Sequence, residues 1–295
     1  MEYSDSSNNT NLDLVVIVVP IYGAKLENHE IISLNQCFKK LSKYPISFIC
    51  ADDFSIHNHG MLLKGAGFHI ERFSHQYFES IQGYNRLMLS KDFYERFKQY
   101  RFMLVHQLDA FVFRDELEYW CAMDYDYIGA PWFEGYNVGD KNSKMLPFAG
   151  NGGFSLRKVS SYIKVLEEVS KHKTIKINSV AEIWDSYKNR SLVHKIVRIP
   201  KMILAYLSKK NNLRYYLRNG ILPEDVVFVE LIAKIYRETF VVSTSDIAAK
   251  FSFEYQARRL YELNKEQLPF GCHRWQQNEV DFWRPHIEAE GYSLH

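Results

Sequence analysis

The feature that most limits how this chain can fold is an alternation of apolar runs with helical patterns. It begins with "LVVIVVPIY" at residues 14–22, a β-branched run with no polar alternation. A strand apolar at every position must be covered on both faces, and Pro20 ends it. "HEIISLNQCFKKLSKYP" follows, with Ile31, Ile32, Leu34, Cys37, Phe38 and Leu41 at helical spacing. A second apolar run, "ISFICADDF", then ends in Asp52 and Asp53. Strand, helix and strand at this spacing form a βαβ unit, which implies parallel pairing and a right-handed crossover. The alternation continues with a short strand "FHIERF", a helix over "YNRLMLSKDFYERFKQY" and a strand "RFMLVHQLDAFVF". The fold class this predicts is α/β, with a mixed, mainly parallel central sheet flanked by helices. Such sheets bind ligands beyond the carboxyl ends of their strands. Pro20 to Tyr22, Asp52 with Asp53, and Gln107 to Asp109 all fall at such ends, so separate segments are expected to converge on one crevice.

The rest of the chain narrows the class of protein. Residues 1–11 read as a polar, disordered tail, and no basic-then-apolar leader precedes the first strand. The first apolar run is far shorter than the ~20 residues a membrane helix needs. A net charge of +2 argues against nucleic-acid binding by the molecule as a whole. Cys37, Cys50, Cys121 and Cys272 are widely spaced without a CxxC pair, which reads as structural thiols in a reducing, intracellular setting. Residues 186–219 carry nine Lys or Arg and no Asp or Glu. There is no internal repeat and no clear linker, so residues 12–295 read as one domain with a basic insertion at about 186–220.

The chemistry starts from what is missing. Neither GxGxxG nor GxxxxGK[ST] occurs, so the backbone cradles that hold phosphates in dinucleotide enzymes and P-loop proteins are lacking. A divalent cation held by carboxylates is the usual alternative for a diphosphate, since Mg²⁺ or Mn²⁺ takes one or two protein carboxylates and fills its shell with phosphate oxygens and water. Asp109 is the one acid in "FMLVHQLDAFVF", and a buried charge needs a partner or a metal. "GNGGFSLR" permits close backbone approach around Asn151, whose amide offers both donor and acceptor, although a tight turn entering a strand has the same composition. In "LPEDVVF", Glu224 and Asp225 stand directly before the apolar run "VVFVELIAKIY". They either cap a helix or do acid–base work, and two adjacent carboxylates in a partly dry crevice tend to separate their pKa values.

At these residues the chain resembles the nucleotide-sugar glycosyltransferases of the GT-A fold, whose hallmark is an Asp-x-Asp at the end of a central strand. Here Gln107-Leu108-Asp109 has one of the two acids, with Gln107 or Phe111 at the position of the other and Gln107 favoured. "FMLVHQLDAFVF", "YDYIGAPW", "GNGGFSLR", "LPEDVVF" and "PFGCHRW" also occur in the order seen in a bacterial and fungal glycosyltransferase-like family catalogued as a domain of unknown function. The resemblance covers about Leu14 to Trp275.

It implies a role for each matching residue. Pro20, Ile21 and Tyr22 would border the nucleotide base, with Asp52 or Asp53 near the nucleoside and Asn85 and Arg86 facing the diphosphate. The alternatives are a strand end, a turn and a solvated helix face. Gly152 and Gly153 would wall the donor sugar. Asp225 would deprotonate the acceptor hydroxyl while Glu224 hydrogen-bonds the acceptor. His273 would complete a metal site with Asp109 or touch the diphosphate, unless it is structural, and Trp132 would stack on a sugar unless it packs in the core.

The activity implied is transfer of a sugar, with inversion, from a nucleoside diphosphate sugar, UDP-sugars favoured, to a saccharide or lipid-linked glycan in surface-polysaccharide assembly. The cofactor implied is Mn²⁺ or Mg²⁺. The basic stretch, with Ile196, Val197, Ile199, Ile203, Leu204 and Leu207 interleaved, reads either as a helix attracted to an anionic membrane or as a solvated basic face. The first reading places the protein in the cytoplasm, peripheral to the inner face of the membrane. A non-catalytic nucleotide-sugar or glycan-binding module is the rival that the incomplete Asp-x-Asp favours. A metal phosphohydrolase is the third, opposed by the few clustered ligands.

Overall fold

A computed structural model describes residues 13–23, 25–54, 68–136, 141–179, 182 and 199–294. The expected tail, and residues 186–198 of the basic insertion, lie outside the described residues.

The central sheet has six strands: β1 (Asp13–Pro20), β2 (Ile46–Ala51), β3 (Phe68–Phe73), β4 (Tyr100–His106), β6 (Tyr127–Ile128) and β9 (Phe154–Lys158). β5 (Ala110–Val112), β7 (Ala130–Phe133) and β8 (Met145–Gly150) stand outside it. The strand order is β3-β2-β1-β4-β9-β6, in which β1 to β4 pair in parallel and β9 runs antiparallel to both its neighbours. This is the expected mixed, mainly parallel sheet flanked by helices.

β1 shows why its sequence is apolar throughout. Val15, Ile17 and Val19 pack with helix α1 (Asn28–Leu41) on one face, and Val16 and Val18 face a second core on the other. Full burial of such a side chain contributes about 1.5–3 kcal/mol, so both faces draw the strand to the centre. The second core includes residues of α2 (Ile81–Met88), α3 (Lys91–Glu95) and α4 (Val159–Lys171).

Two elements differ from the sequence reading. The helix expected over residues 84–100 is two short helices, because Ser90 accepts a hydrogen bond from the Phe93 N–H and starts α3 afresh. The strand expected over residues 101–113 also breaks. β4 ends at His106, a turn closes with the Ala110 N–H on the Gln107 carbonyl at 3.0 Å, and β5 joins another sheet of order β10-β11-β5. There β10 is Ser252–Phe253 and β11 is Gly271–His273. The far edge of β5 is sealed by α1, whose Gln36 Nε2 donates to the Val112 carbonyl at 2.8 Å and whose Ser33 hydroxyl donates to the Ala110 carbonyl. Asp109 therefore stands on a turn between two sheets. All four cysteines are buried with free thiols. Among the described residues no helix is long and apolar enough to cross a membrane.

Candidate active site

One crevice of about 820 Å³ opens beyond the ends of β1, β4 and β9, and its lining draws on both halves of the chain. Tyr22, Asn85, Gln107, Trp132, Asn151, Gly152, Gly153, Glu224, Asp225 and His273 all reach it. Gln107 and His273 thus share a cavity with the Glu224–Asp225 pair, while Asp109 does not line it and meets it only through His273.

The cationic side is set by the small sheet. β11 pairs antiparallel with β5, placing His273 opposite Ala110, and the Arg274 N–H donates to the Asp109 carbonyl at 2.9 Å. His273 Nε2 stands 3.0 Å from Asp109 Oδ1 and 3.2 Å from Gln107 Oε1. Its Nδ1 stands 3.2 Å from Glu254 Oε1. Burial works against a charged imidazole, but the charge of Asp109 and hydrogen bonds to Asp109 and Glu254 outweigh it and raise His273 to about 10. Burial likewise opposes ionisation of Asp109, and the His273 charge and hydrogen bond bring it down to about 2.

These residues fit a divalent cation. The Asp109 and Gln107 oxygens lie 3.0 and 3.2 Å from His273 Nε2, and once that nitrogen gives up its proton the three form a donor set that suits Mn²⁺ or Mg²⁺. Among the described residues there is no group of three or more His, Cys, Asp or Glu placed to hold a metal. A cation held by Asp109 and His273, with Gln107 beside them, would leave most of its shell to phosphate oxygens and water.

The opposite side rests on the segment between β8 and β9. The Gly152 N–H donates to Asp225 Oδ2 at 2.9 Å, and the Val226 N–H donates to Asp225 Oδ1 at 2.8 Å. The Gly153 carbonyl accepts from the Gln107 N–H at 2.8 Å, so this segment bridges the two sides. Its glycines are demanded by space. A Cβ on Gly152 would lie 2.0 Å from Glu224 Oε1, and one on Gly153 would lie 2.0 Å from His273 Nε2. Glu224 begins the helical segment 224–235, whose middle, Val227–Ile232, winds as a π-helix. Glu224 is buried in a 2.6 Å ion pair with Arg157, which also donates to the Gly152 carbonyl at 3.2 Å and to the Tyr94 hydroxyl at 3.0 Å. Asp225 has no such cation. Burial, then the neighbouring charge of Glu224, raises its carboxyl to about 7 against the pull of its two N–H donors.

Among the described residues two buried polar atoms in this lining have no partner: Asn151 Nδ2, a donor, and Glu224 Oε2, an acceptor. Buried polar groups are ordinarily satisfied, so both atoms are open to a further hydrogen bond.

Other expected residues stand elsewhere. Pro20 and Ile21 are buried at the strand end and leave Tyr22 as the segment's contact with the crevice, packed edge-on to Tyr84 at 5.6 Å. Asp52 and Asp53 form a turn in which Asp52 accepts from the Asp53 and His75 N–H groups, while Asp53 pairs with His75 at 2.9 Å. Asp52 lines a separate cavity with Arg72 and Arg96. Arg86 does not reach the crevice, although Asn85 before it does and donates to the Gly220 carbonyl at 3.3 Å. Trp132 is 5% exposed, presenting little more than an edge, and packs over Gly150. Sequence reasoning passed over Arg157, Glu254, Tyr84, Tyr255 and Arg274. For Arg157, inside "GNGGFSLR", and Glu254, at the end of "FSFE", a charge ending an apolar run was the available signal, the same one that singled out Asp109.

Among curated proteins none matches this sequence at a significant level. Similar solved structures include mouse xyloside xylosyltransferase 1 in its apo form, with a TM-score of 0.47, 11% identity and coverage of 88% of this chain and 97% of that one. A glycosyltransferase involved in glycosylation of the major capsid of PBCV-1 gives a TM-score of 0.38 and 10% identity over 94% and 99% of the two chains. Core-mannan synthase A from Aspergillus fumigatus, in its Mn/GDP form, gives 0.39 and 8% over 58% of this chain, which spans 66% of that one's length. Residues 67–273, more than half of the chain, match the family described as "Protein of unknown function (DUF5672)", and the chain belongs to that family.

Proposed function

We propose that this protein is a glycosyltransferase that moves a sugar from a nucleoside diphosphate donor, a UDP-sugar first among those to test, to a saccharide acceptor with inversion. The observation that carries the reading is the single crevice shared by His273 and Gln107 on one side and Glu224 and Asp225 on the other. Asp109 and His273 would hold a divalent cation, which when bound offsets the charge of the departing diphosphate. Tyr22 and Tyr84 offer aromatic surface for the base, and Asn151 Nδ2 a donor for a sugar hydroxyl. Asp225 takes the proton from the attacking hydroxyl, because it is the acid of the pair left without a cation and its affinity for a proton lies near neutrality. Glu224, with Oε1 committed to Arg157, orients the acceptor through Oε2.

A second cavity of about 970 Å³ shares Tyr136 and Tyr255 with the crevice and is otherwise polar, which supports an extended glycan as acceptor. The exposed face of helix 199–207 supports a lipid-linked one, with the protein at the inner, cytoplasmic surface of an anionic membrane in surface-polysaccharide assembly.

The test is release of nucleoside diphosphate from a panel of nucleotide sugars with Mn²⁺ or Mg²⁺ and saccharide acceptors. Asp225→Asn is expected to lower turnover about 10²- to 10⁴-fold, the range of general-base catalysis, with donor affinity unchanged. Turnover at the wild-type rate removes Asp225 as base. Tight donor binding with no turnover by the wild type would instead assign a nucleotide-sugar-binding module, the reading that Gln107 in place of an acid favours.

A further inference from the structure

The His273 ring has a carboxylate at each edge, and only one of them belongs to the motifs. Glu254 follows β10, whose parallel register with β11 pairs Ser252 with Gly271 and Phe253 with Cys272. The next residue on each strand is Glu254 and His273, so the register itself sets them abreast. On the other side of β11, antiparallel pairing brings Ala110, and with it Asp109, against His273. The order across the small sheet is therefore Glu254, His273, Asp109.

Glu254 is 6% exposed and its backbone carbonyl is fixed by the Asn278 side-chain amide at 3.1 Å. Its Oε1 lies 3.2 Å from His273 Nδ1, with the Arg274 Nε 4.0 Å away. Asp109 and Gln107 meet the opposite ring nitrogen, Nε2. Without a cation the ring carries a proton on each nitrogen; a cation at Nε2 would displace the proton there, the other must then stay on Nδ1, and a buried carboxylate accepting that N–H fixes both the tautomer and the ring plane.

We propose that Glu254 is a positioning residue for a divalent cation at Asp109 and His273: it holds the Nδ1–H and keeps Nε2 directed at the Asp109–Gln107 turn. This rests on the cation reading above, but not on the sugar transferred, the acceptor or turnover.

The experiment titrates purified full-length protein with Mn²⁺ and measures the unbound ion by electron paramagnetic resonance. The set is wild type, Asp109→Ala, Glu254→Gln and Glu254→Asp, each with its thermal midpoint. Asp109→Ala is expected to lose binding. Glu254→Gln, whose amide can equally donate to Nδ1 and so favour the wrong tautomer, is expected to raise the Kd for Mn²⁺ about 10- to 100-fold, the usual effect of losing such a partner. Glu254→Asp keeps the charge but withdraws it from Nδ1, and is expected to weaken binding too. A purely structural role would move the thermal midpoint and leave the affinity of the folded fraction alone. Wild-type affinity in a folded Glu254→Gln overturns the proposal, and Glu254→Asp decides by the same criterion if the Gln variant does not fold. Equal binding by wild type and Asp109→Ala overturns the cation site itself, and Glu254 with it. Mn²⁺ binding as expected, with no glycosyl transfer to any acceptor, would sustain the Glu254 assignment while the transferase reading fails.

Discussion

At the scale of single residues, the role proposed for Asp225 has a consequence for stability. Its folded carboxyl titrates near 7, against an ordinary 3.8, so the folded state disfavours its charge. Below about pH 4 both folded and unfolded carboxyls are protonated and nothing is lost. As pH rises toward 7 the unfolded carboxyl ionises first, and the penalty on folding is complete once the folded one has followed. Asp225→Asn removes that penalty but gives up one backbone hydrogen bond, a loss that does not depend on pH. The thermal midpoint of the variant relative to wild type should therefore be more favourable at pH 8 than at pH 5; calorimetry at the two values reads the difference, and a constant offset would show an ordinary carboxyl. The rate of transfer should rise with pH to a plateau above about 7, because the base must be ionised. Glu224, although adjacent, has an ion-pair partner. Its charge is matched by Arg157, a partner that became visible only when β9 and helical segment 224–235 were brought together.

At the scale of elements, what could be read in advance was whatever a local pattern dictates. β1 and β2 were legible because burial on both faces leaves an unbroken apolar run, and α1 because its apolar stripe repeats at helical spacing. The break after His106 was not, because Ala110 to Phe113 continue the apolar pattern while changing sheets; the partner of a strand is a tertiary fact. The break at Ser90 was missed for a smaller reason, a hydroxyl cap inside a helical pattern. The motif glycines were legible as close approaches, but not what approaches them. Gly153→Ala should push the His273 ring off the Asp109–Gln107 turn. We expect at least a tenfold loss of Mn²⁺ affinity in a protein whose far-ultraviolet circular dichroism is unchanged, and retained affinity would mean the ring is free to shift. Arg157→Met should strand the Glu224 charge in the core, which costs about 3–5 kcal/mol. Adding Glu224→Gln should recover part of it, and chemical denaturation of the single and double variants measures the coupling.

At the scale of the whole molecule, the crevice and the exposed apolar face sit on different parts of the chain, and the question is whether both serve one reaction. Helix 199–207 leaves Ile203, Leu204 and Leu207 between 53% and 68% exposed. The helix is nevertheless anchored, since the Tyr206 carbonyl accepts from Lys176 Nζ at 2.6 Å and from Asn211 Nδ2 at 3.2 Å, with Lys176 also over the Tyr206 ring at 4.7 Å. Lys201, Lys209 and Lys210 are exposed around the same face. Apolar side chains held outward among lysines suit the boundary of an anionic bilayer, where each basic residue near the surface contributes about 1 kcal/mol. Leu204→Ser with Leu207→Ser should then reduce sedimentation with phosphatidylserine vesicles, and Lys209→Ser with Lys210→Ser should do so most at low salt, because screening by added salt weakens the electrostatic part alone. None of these residues lines the crevice, so transfer to a water-soluble acceptor should keep its wild-type rate in both double variants and in their combination, while transfer to a vesicle-borne acceptor falls. Vesicle binding indifferent to both pairs would return this helix to the status of a solvated face and leave the crevice to find its acceptor in solution.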